Sequence, residues 1–363
     1  MRTVRDIPGL SDATVLLRAD LDVPVAENGL IEEEFRIIQQ KENLDFLLSG
    51  GARVVMVAHA SDPQAQSFRG LLPQLKRLFG REISFLAGLE DIRNVSGRAG
   101  SFYLLDNVRR WPEETRNDAA FAAELADGFD VYVNNAFAVV HREHASVSAA
   151  AFIKPAYAGL LVEKEIRQLS DVIDAPAEGK VLIMGGAKAS TKVPVISNLI
   201  AKAEHVLVGG IVANDILKAK GQDIGSSRVD DNIGQLLKGL DLDDPRLHVP
   251  DDSVVEEGAY MDLGPNSVHA YTSIIKSAKT VIWNGPVGKF EDIRFAGGTL
   301  AIARAIVDSG AFSLIGGGDT IAAVSQAGLL NRFGHVSTGG GAMLAFLSGE
   351  RLPGLVPLGV YPK

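Results

Sequence analysis

The sequence predicts an α/β protein of two lobes, each a parallel sheet covered by helices, joined by a hinge helix. Three observations carry this expectation. Short β-branched apolar runs alternate with helix-period segments along almost the whole chain, and strands in such alternation pair in parallel with both faces covered. The length of 363 residues suits two domains of ordinary size better than a single core. Near the middle, Leu160, Leu161, Ile166 and Leu169 recur at helical spacing among Glu163, Glu165 and Arg167, the pattern of a connecting helix.

In chain order, strands are expected at 14–17 (TVLL), 53–57 (RVVMV), 102–105 (FYLL) and 131–133 (VYV), short apolar runs rich in β-branched and aromatic residues. Helix-period segments at 36–48, 71–79 and 121–126 separate them. Residues 156–174 form the hinge, and APAEGK at 175–180 is a turn-rich joint. Strands at 181–184, 205–208, 280–283 and 312–315 follow, with helices at 192–202 and 299–308. Residues 241–262 are rich in Asp and Pro without clear period, and read as a solvated loop around a short strand. There is no tandem repeat or low-complexity tract. The whole describes two Rossmann-like lobes.

Composition narrows the function. Hydrophobic content of 46% with 22% charged residues is that of a folded, soluble protein. No apolar run approaches the roughly 20 residues that span a bilayer, and MRTVRDIPGL lacks the apolar core of a signal peptide. A cytoplasmic protein with no membrane partner is expected, and the absence of Cys agrees with that compartment. It also excludes disulfides, thiolate metal sites and Cys nucleophiles. A net charge of −9 argues against nucleic acid but leaves open a small anion held in a local field.

The chemistry-bearing residues divide unevenly. Candidate anion readers lie in the first half: Arg36, His59, Arg109, His141, Arg142 and His144. Glycine-rich strand ends lie in the second: GGAK at 185–188, GG at 209–210, WNGPVG at 283–288, GGGD at 316–319 and STGGGA at 337–342. Ligands of parallel sheets bind beyond the carboxyl ends of the strands, where glycine turns let backbone N–H groups approach phosphate and a helix N-terminus adds positive charge. One cluster is equally a tight turn; several in one lobe, two coupled to Lys or Asp, point to a polyphosphate. Neither GxxxxGK[ST] nor a strand leading into GxGxxG is present, so the site is neither a P-loop nor a dinucleotide fingerprint.

Lys192, opening a helix after the GGAK turn, can aim an ammonium at phosphate with Lys188 beside it, which matters most in phosphoryl transfer. The alternative is two solvated lysines. Asp319 falls at an expected N-cap and is either a cap alone or also a carboxylate for Mg²⁺. His141 and His144 have a spacing a metal site could use, but no third-ligand pattern accompanies them, and packing or anion contact is the expected role.

Seven motifs in order resemble phosphoglycerate kinase from end to end: RADLDVP (18–24), DNVRRWPEE (106–114), DVYVNNAFAVVHREHAS (130–146), GGAKASTK (185–192), WNGPVGKFE (283–291), IGGGDT (315–320) and HVSTGGGA (335–342). The resemblance implies a reversible Mg²⁺-dependent kinase acting on 1,3-bisphosphoglycerate and ADP to give 3-phosphoglycerate and ATP, and working as a monomer. It implies a triose lobe over 1–155, a hinge at 156–174 and a nucleotide lobe over 175–349 that closes on the first. The last residues, about 350–363, are expected to return to the triose lobe. Asp20, Asp22, Arg36, His59, Asp62, Arg109 and Arg142 occupy triose-site positions, with Arg36 also serving catalysis. Gly185, Gly186, Ala187, Lys188, Lys192, Gly209, Gly210, Asn284, Pro286, Glu291, Gly316, Gly317, Gly318, Asp319 and Thr320 occupy nucleotide positions. Asp319 is the metal-side residue, and Lys192, Gly340 and Gly341 face the moving phosphoryl group, with Gly339 beside them.

Three departures from the family pattern change a charge. AHASDP stands for the usual SHLGRP, placing Asp62 where an arginine contacts substrate, and DLDVP stands for DFNVP, placing Asp22 where an asparagine is expected. Both add negative charge where an anion should sit. The preferred reading is a rebuilt loop in which Asp62 points away, pairing with Arg69 or another cation, and Arg69 or Arg110 supplies the missing charge. The alternatives are a carboxyl kinase for a different acid and a nucleotide-binding paralogue without turnover. Asn135, where Asp is usual, suggests no consequence.

Overall fold

A computed structural model describes every residue except Asn94, Ser96, Pro362 and Lys363; the last two belong to the C-terminal segment discussed above and lie outside the described residues. Among the described residues there are fourteen strands. The first sheet contains β1 (Thr14–Arg18), β2 (Arg53–Val57), β3 (Ser84–Leu86), β4 (Phe102–Leu105), β5 (Val131–Asn134) and β6 (Ala156–Ala158) in the order β3-β4-β2-β1-β5-β6. The second contains β7 (Lys180–Met184), β8 (His205–Val208), β9 (Leu247–His248), β12 (Thr280–Asn284), β13 (Phe312–Gly316) and β14 (His335–Val336) in the order β14-β13-β12-β7-β8-β9. Every pairing within both is parallel. The remaining pair, β10 (Ser253–Glu256) and β11 (Ala259–Leu263), is an antiparallel hairpin.

The central strands are buried almost throughout, as in β7, where all five residues are covered. Apolar side chains on alternate positions serve opposite faces, which is why these strands read as continuous apolar runs rather than alternating ones. One core centres on Val15, Leu17, Val54 and Met56, a second on Ile183, Trp283, Ile302 and Ile306.

By contacts the chain forms two compact units. Unit 1 is Met1–Ile166 with Arg351–Lys363, and unit 2 is Arg167–Glu350. In unit 1 the segment after residue 350 buries Leu352, Leu355 and Leu358. The Gly354 N–H donates to Val140 O at 2.9 Å, and the Arg2 N–H donates to Leu358 O at 3.1 Å.

The sequence places the hinge helix at 156–174, but residues 156–158 form the edge strand β6 and the helix is Leu160–Asp174. Its first amides are held by side chains, Asn43 Oδ1 accepting Leu160 N–H at 2.9 Å and Asn135 Oδ1 accepting Leu161 N–H at 3.0 Å. Asn135 also donates from Nδ2 to Gln40 Oε1 at 2.9 Å. The departure that suggested nothing in sequence thus has a role: only an amide both donates and accepts here, which an ionised Asp cannot do. At the other end the Lys180 ammonium donates to Ile173 O at 2.8 Å.

Residues 241–262, expected as a loop around one short strand, carry β9, β10 and most of β11. The hairpin turns at Glu257 and Gly258, both at positive φ (51° and 78°), the geometry of a two-residue hairpin loop.

Candidate active site

In unit 1, the carboxyl ends of β1 and β2 bring together one carboxylate-edged cluster of cations. Arg18, closing β1, is fully buried; its Nε donates to Ser146 Oγ at 2.8 Å and its Nη2 lies 3.2 Å from His59 Nδ1. Arginine only donates, so His59 Nδ1 is the acceptor and the neutral ring carries its proton on Nε2. That nitrogen lies 3.3 Å from Asp22 Oδ2. Burial lowers the His59 pKa to about 4, with Arg18 and Arg109 adding to the fall and Asp22 opposing it.

Asp22 accepts Ser61 N–H at 2.6 Å and Ser61 Oγ–H at 3.2 Å. Burial would raise its pKa, but the contact with His59, the charges around it and the Ser61 amide outweigh that and hold it well below the usual range. Asp20 is buried, and here desolvation wins and raises the pKa despite Arg36. Its Oδ2 makes no hydrogen bond and lies 3.9 Å from Arg36 Nη1, which donates instead to Asp22 O at 3.0 Å. Arg109 donates to Ser61 Oγ. Its pKa is lowered by burial first and then by Arg142, with Asp22 only partly offsetting. His144 is held at about 4 by burial, then by Arg109, Arg142 and Arg18, with His141 contributing.

Asp62 does not join this cluster, nor does it pair with Arg69 or Arg110. Its Oδ1 accepts Gln64 N–H at 2.8 Å, capping the short turn Pro63–Ala65, and its Oδ2 accepts Val25 N–H at 3.1 Å. Arg69 lies over the Phe85 ring at 4.6 Å, and Arg110 pairs with Asp106. Two adjacent amide donors satisfy Asp62 locally, so it needs no cation. Sequence reasoning missed Arg18, Ser61 and Ser146, as well as the buried Glu114, which accepts Ser146 N–H at 2.8 Å and Ser146 Oγ–H at 2.6 Å; a charge closing an apolar strand, as in TVLLR, was the available signal for the first.

In unit 2, the glycine strand ends knit to one another. Gly185 N–H donates to Asn284 O at 2.9 Å, Gly186 N–H to Pro286 O at 2.8 Å, Gly209 N–H to Met184 O at 3.1 Å and Gly210 N–H to Val287 O at 3.1 Å. The expectation that these amides cradle phosphate is therefore corrected: their donors are committed to carbonyls, and the absent side chains permit loop-to-loop packing. Gly285, at φ 90°, would drive a Cβ into Gly185 O. The buried Thr320 also turns inward, its Oγ1 accepting Gly285 N–H at 2.7 Å, and Asn284 Nδ2 donates to Gly316 O at 2.8 Å.

Open backbone donors lie elsewhere. The helix Gly318–Gln326 begins after Gly317, whose φ of 98° suits glycine, and no side chain caps it. Asp319 is thus not the cap but a first-turn residue, where a carboxylate suits the helix dipole. The helix Gly340–Leu347 also starts without a side-chain cap, and a Cβ on Gly340 would come within 2.6 Å of Gly317 Cα. Two uncapped helix N-termini, the second including Gly341, meet at this point, each with first-turn amides lacking intrahelical acceptors. Gly316 packs against the Met343 sulfur.

Lys188 precedes the short turn Ala189–Thr191, and Lys192 is the N-cap of the helix Val193–Leu199. A Cβ on Gly186 would lie 4.0 Å from Lys192 Nζ. Burial lowers the Lys192 pKa, Asp319 opposes the fall and Lys188 adds to it. A cavity of about 490 Å³ opens here, lined by Gly186, Ala187, Gly210, Pro286, Glu291 and Asp319 among the expected residues. Ile211, Leu217, Tyr260, Met261 and Val287 make an apolar wall that sequence reasoning missed. Asp319 at the rim fits a Mg²⁺ ion, which takes few protein ligands when phosphates and water supply the rest.

Comparison with known proteins agrees with this arrangement. The family model described as phosphoglycerate kinase matches residues 4–350. The chain is 40% identical to the phosphoglycerate kinase of Rubrobacter xylanophilus and 37% identical to that of Moorella thermoacetica, each alignment covering 98% of both chains. The solved phosphoglycerate kinase of Coxiella burnetii superposes with a TM-score of 0.85 at 31% identity over 98% of both chains. That of Pyrococcus horikoshii superposes with a TM-score of 0.85 at 30% identity, over 99% of this chain and 98% of the other. Two parallel sheets with a cation cluster on one unit and uncapped helix ends on the other, together with this similarity, place the chain in the phosphoglycerate kinase family.

Proposed function

We propose that the chain catalyses reversible, Mg²⁺-dependent phosphoryl transfer between the acyl phosphate of 1,3-bisphosphoglycerate and ADP, giving 3-phosphoglycerate and ATP. The observation that carries the reading is the under-compensated cation cluster of unit 1. Arg109 Nε is buried without a hydrogen-bond partner, and repulsion from Arg142 adds to burial in lowering the Arg109 pKa, so an anion entering the cluster meets an unsatisfied donor and relieves repulsion already present.

On this reading residues 1–155 with the C-terminal segment take the triose, 175–349 take the nucleotide, and the helix between them is the hinge. Arg36, His59, Arg109 and Arg142 hold the anionic groups of the triose, and the unbonded Asp20 Oδ2 is an acceptor for its hydroxyl. In unit 2, Ile211, Leu217, Met261 and Val287 accept the base, Glu291 the ribose, and the uncapped helix ends at Gly318 and Gly340 the phosphates. Asp319 would hold Mg²⁺, which when bound neutralises phosphate charge.

The triose carboxylate is itself the nucleophile, so no covalent enzyme intermediate is required, and the residues act by positioning and charge stabilisation. Lys192 and Arg36 meet the charge on the transferring group, with Lys188 beside the nucleotide phosphates. A monomer in the cytoplasm without a nucleic-acid partner is the setting we propose, supported by the net charge of −9.

A coupled assay with 3-phosphoglycerate and Mg-ATP tests the reading. Turnover supports it. Turnover only with another carboxylic acid assigns a related carboxyl kinase, and nucleotide binding without turnover an inactive paralogue.

A further inference from the structure

Asp22 and Arg109 carry opposite charges on the rim of the same site, yet they do not form a direct ion pair. Between them stands Ser61. Its backbone N–H donates to Asp22 Oδ1 at 2.6 Å, its hydroxyl donates to Asp22 Oδ2 at 3.2 Å, and the same hydroxyl accepts from Arg109 Nη1. The direction of this chain is fixed by chemistry. A guanidinium only donates and an ionised carboxylate only accepts, so a hydroxyl between them must receive from one and give to the other. His59 Nε2 lies 3.3 Å from Asp22 Oδ2 on the other side, close but without a formed hydrogen bond.

The other donors of Arg109 are not taken up by this link. Its Nε is buried without a hydrogen-bond partner, and repulsion from Arg142 adds to burial in lowering its pKa. Arg109 is a cation short of an anion, with a carboxylate one hydroxyl away. A direct Arg–Asp pair would be bidentate and strong, and it would neutralise Arg109 before substrate arrived. We infer that Ser61 is a positioning residue that holds Asp22 and Arg109 one hydroxyl apart and so keeps Arg109 available to the anionic substrate. Ser61 also differs from the family pattern, standing at the Gly of SHLGRP, while Asp22 stands at the Asn of DFNVP. The two departures are therefore one device: the carboxylate at 22 makes the spacer at 61 necessary.

The inference rests on the phosphoglycerate kinase reading, and a double-mutant cycle tests it. The full chain and its Ser61→Ala, Asp22→Asn and Asp22→Asn/Ser61→Ala variants are assayed for kcat and KM with 3-phosphoglycerate at saturating Mg-ATP, with Tm recorded for each. Removing the hydroxyl alone lets Arg109 close on Asp22, and KM for 3-phosphoglycerate rises about tenfold with kcat within about twofold. In the double variant no carboxylate remains to capture Arg109, and KM returns to within about threefold of the native value.

An unchanged KM in Ser61→Ala overturns the inference. So does a raised KM that Asp22→Asn fails to recover, which would make Ser61 a direct substrate contact. A fall in Tm accompanied by loss of kcat in Ser61→Ala would make it a structural residue and also overturns the inference. A native chain inactive with 3-phosphoglycerate sinks the functional reading and this inference together, whereas an active native chain indifferent to Ser61 sinks only the latter.

Discussion

Replacing Lys192 by Met removes one charge and keeps most of the stem. The Nζ lies 4.0 Å from where a Cβ on Gly186 would sit, at the turn that borders the cavity, so a phosphate oxygen against that turn meets the ammonium at about this distance. Two unit charges about 4 Å apart at an effective dielectric near 20 interact by about 4 kcal/mol, an upper bound of roughly three decades in rate. Part of that interaction already exists in the ground state, so a loss in kcat of about 10²–10³ is expected. Stability moves the opposite way. Burial lowers the Lys192 pKa, so at neutral pH the fold carries an ammonium it disfavours, and Met relieves that cost. The expected signature is a collapsed kcat, a KM for Mg-ADP changed only a few-fold, and a Tm no lower than native. Steady-state kinetics and thermal denaturation read all three. A native kcat with raised KM would show Lys192 to be a ground-state contact and refute the reasoning, and would pass the transition-state role to Lys188 or Arg36.

Other perturbations have defined outcomes. Asp62→Ala should leave KM for 3-phosphoglycerate within about twofold while lowering stability by about 1 kcal/mol through the lost cap; a strong fall in KM from Asp62→Arg would place the residue in the pocket after all. Gly285→Ala forces a side chain onto positive φ and into Gly185 O, and should cost about 3 kcal/mol or more in chemical denaturation; a loss below about 1 kcal/mol would mean that the loops give way. His59 has a folded pKa of about 4 against an ordinary 6.5, so the unfolded chain takes up its proton first as pH falls. Its contribution is present above pH 6.5 and is lost toward pH 4, by about 3 kcal/mol. His144 has the same shift and titrates in the same window, so His59→Gln should make that limb shallower by about half, and an unaltered slope would show the His59 ring to be accessible to protons in the folded state.

How legible these features were depended on how far apart in the chain their causes lie. Central strands such as β1, β2, β7 and β12 are readable because burial on both faces makes them continuous apolar runs. Edge strands β6 and β14, of three and two residues, offer too few positions for any period. The β10–β11 hairpin was hidden by Asp and Pro around it, although Glu-Gly between SVVE and AYMDL is a turn signal. Arginines and histidines of unit 1 were legible as charge. Ser61 was not, because its meaning comes from Asp22 and Arg109, 39 and 48 residues away. The cation partner expected for Asp62 was wrong for the opposite reason: its partner Gln64 is two residues on, and a local amide outcompeted the distant cation. The glycine clusters were correctly located, but spacing cannot say whether an amide faces a ligand or a neighbouring carbonyl.

The segment after residue 350 has a consequence for the order in which the protein is made. Unit 2 is a continuous stretch, Arg167–Glu350, whereas unit 1 is interrupted and needs Leu352, Leu355 and Leu358 for its packing. Although unit 1 leads the chain, its final pieces leave the ribosome after the whole of unit 2. Synthesis at about 5–20 residues per second gives the earlier-made segments of unit 1 many seconds without their completing partner. The later-made unit is therefore the first that can finish folding, and nascent unit 1 must survive with an uncovered apolar surface until the segment that follows Glu350 arrives.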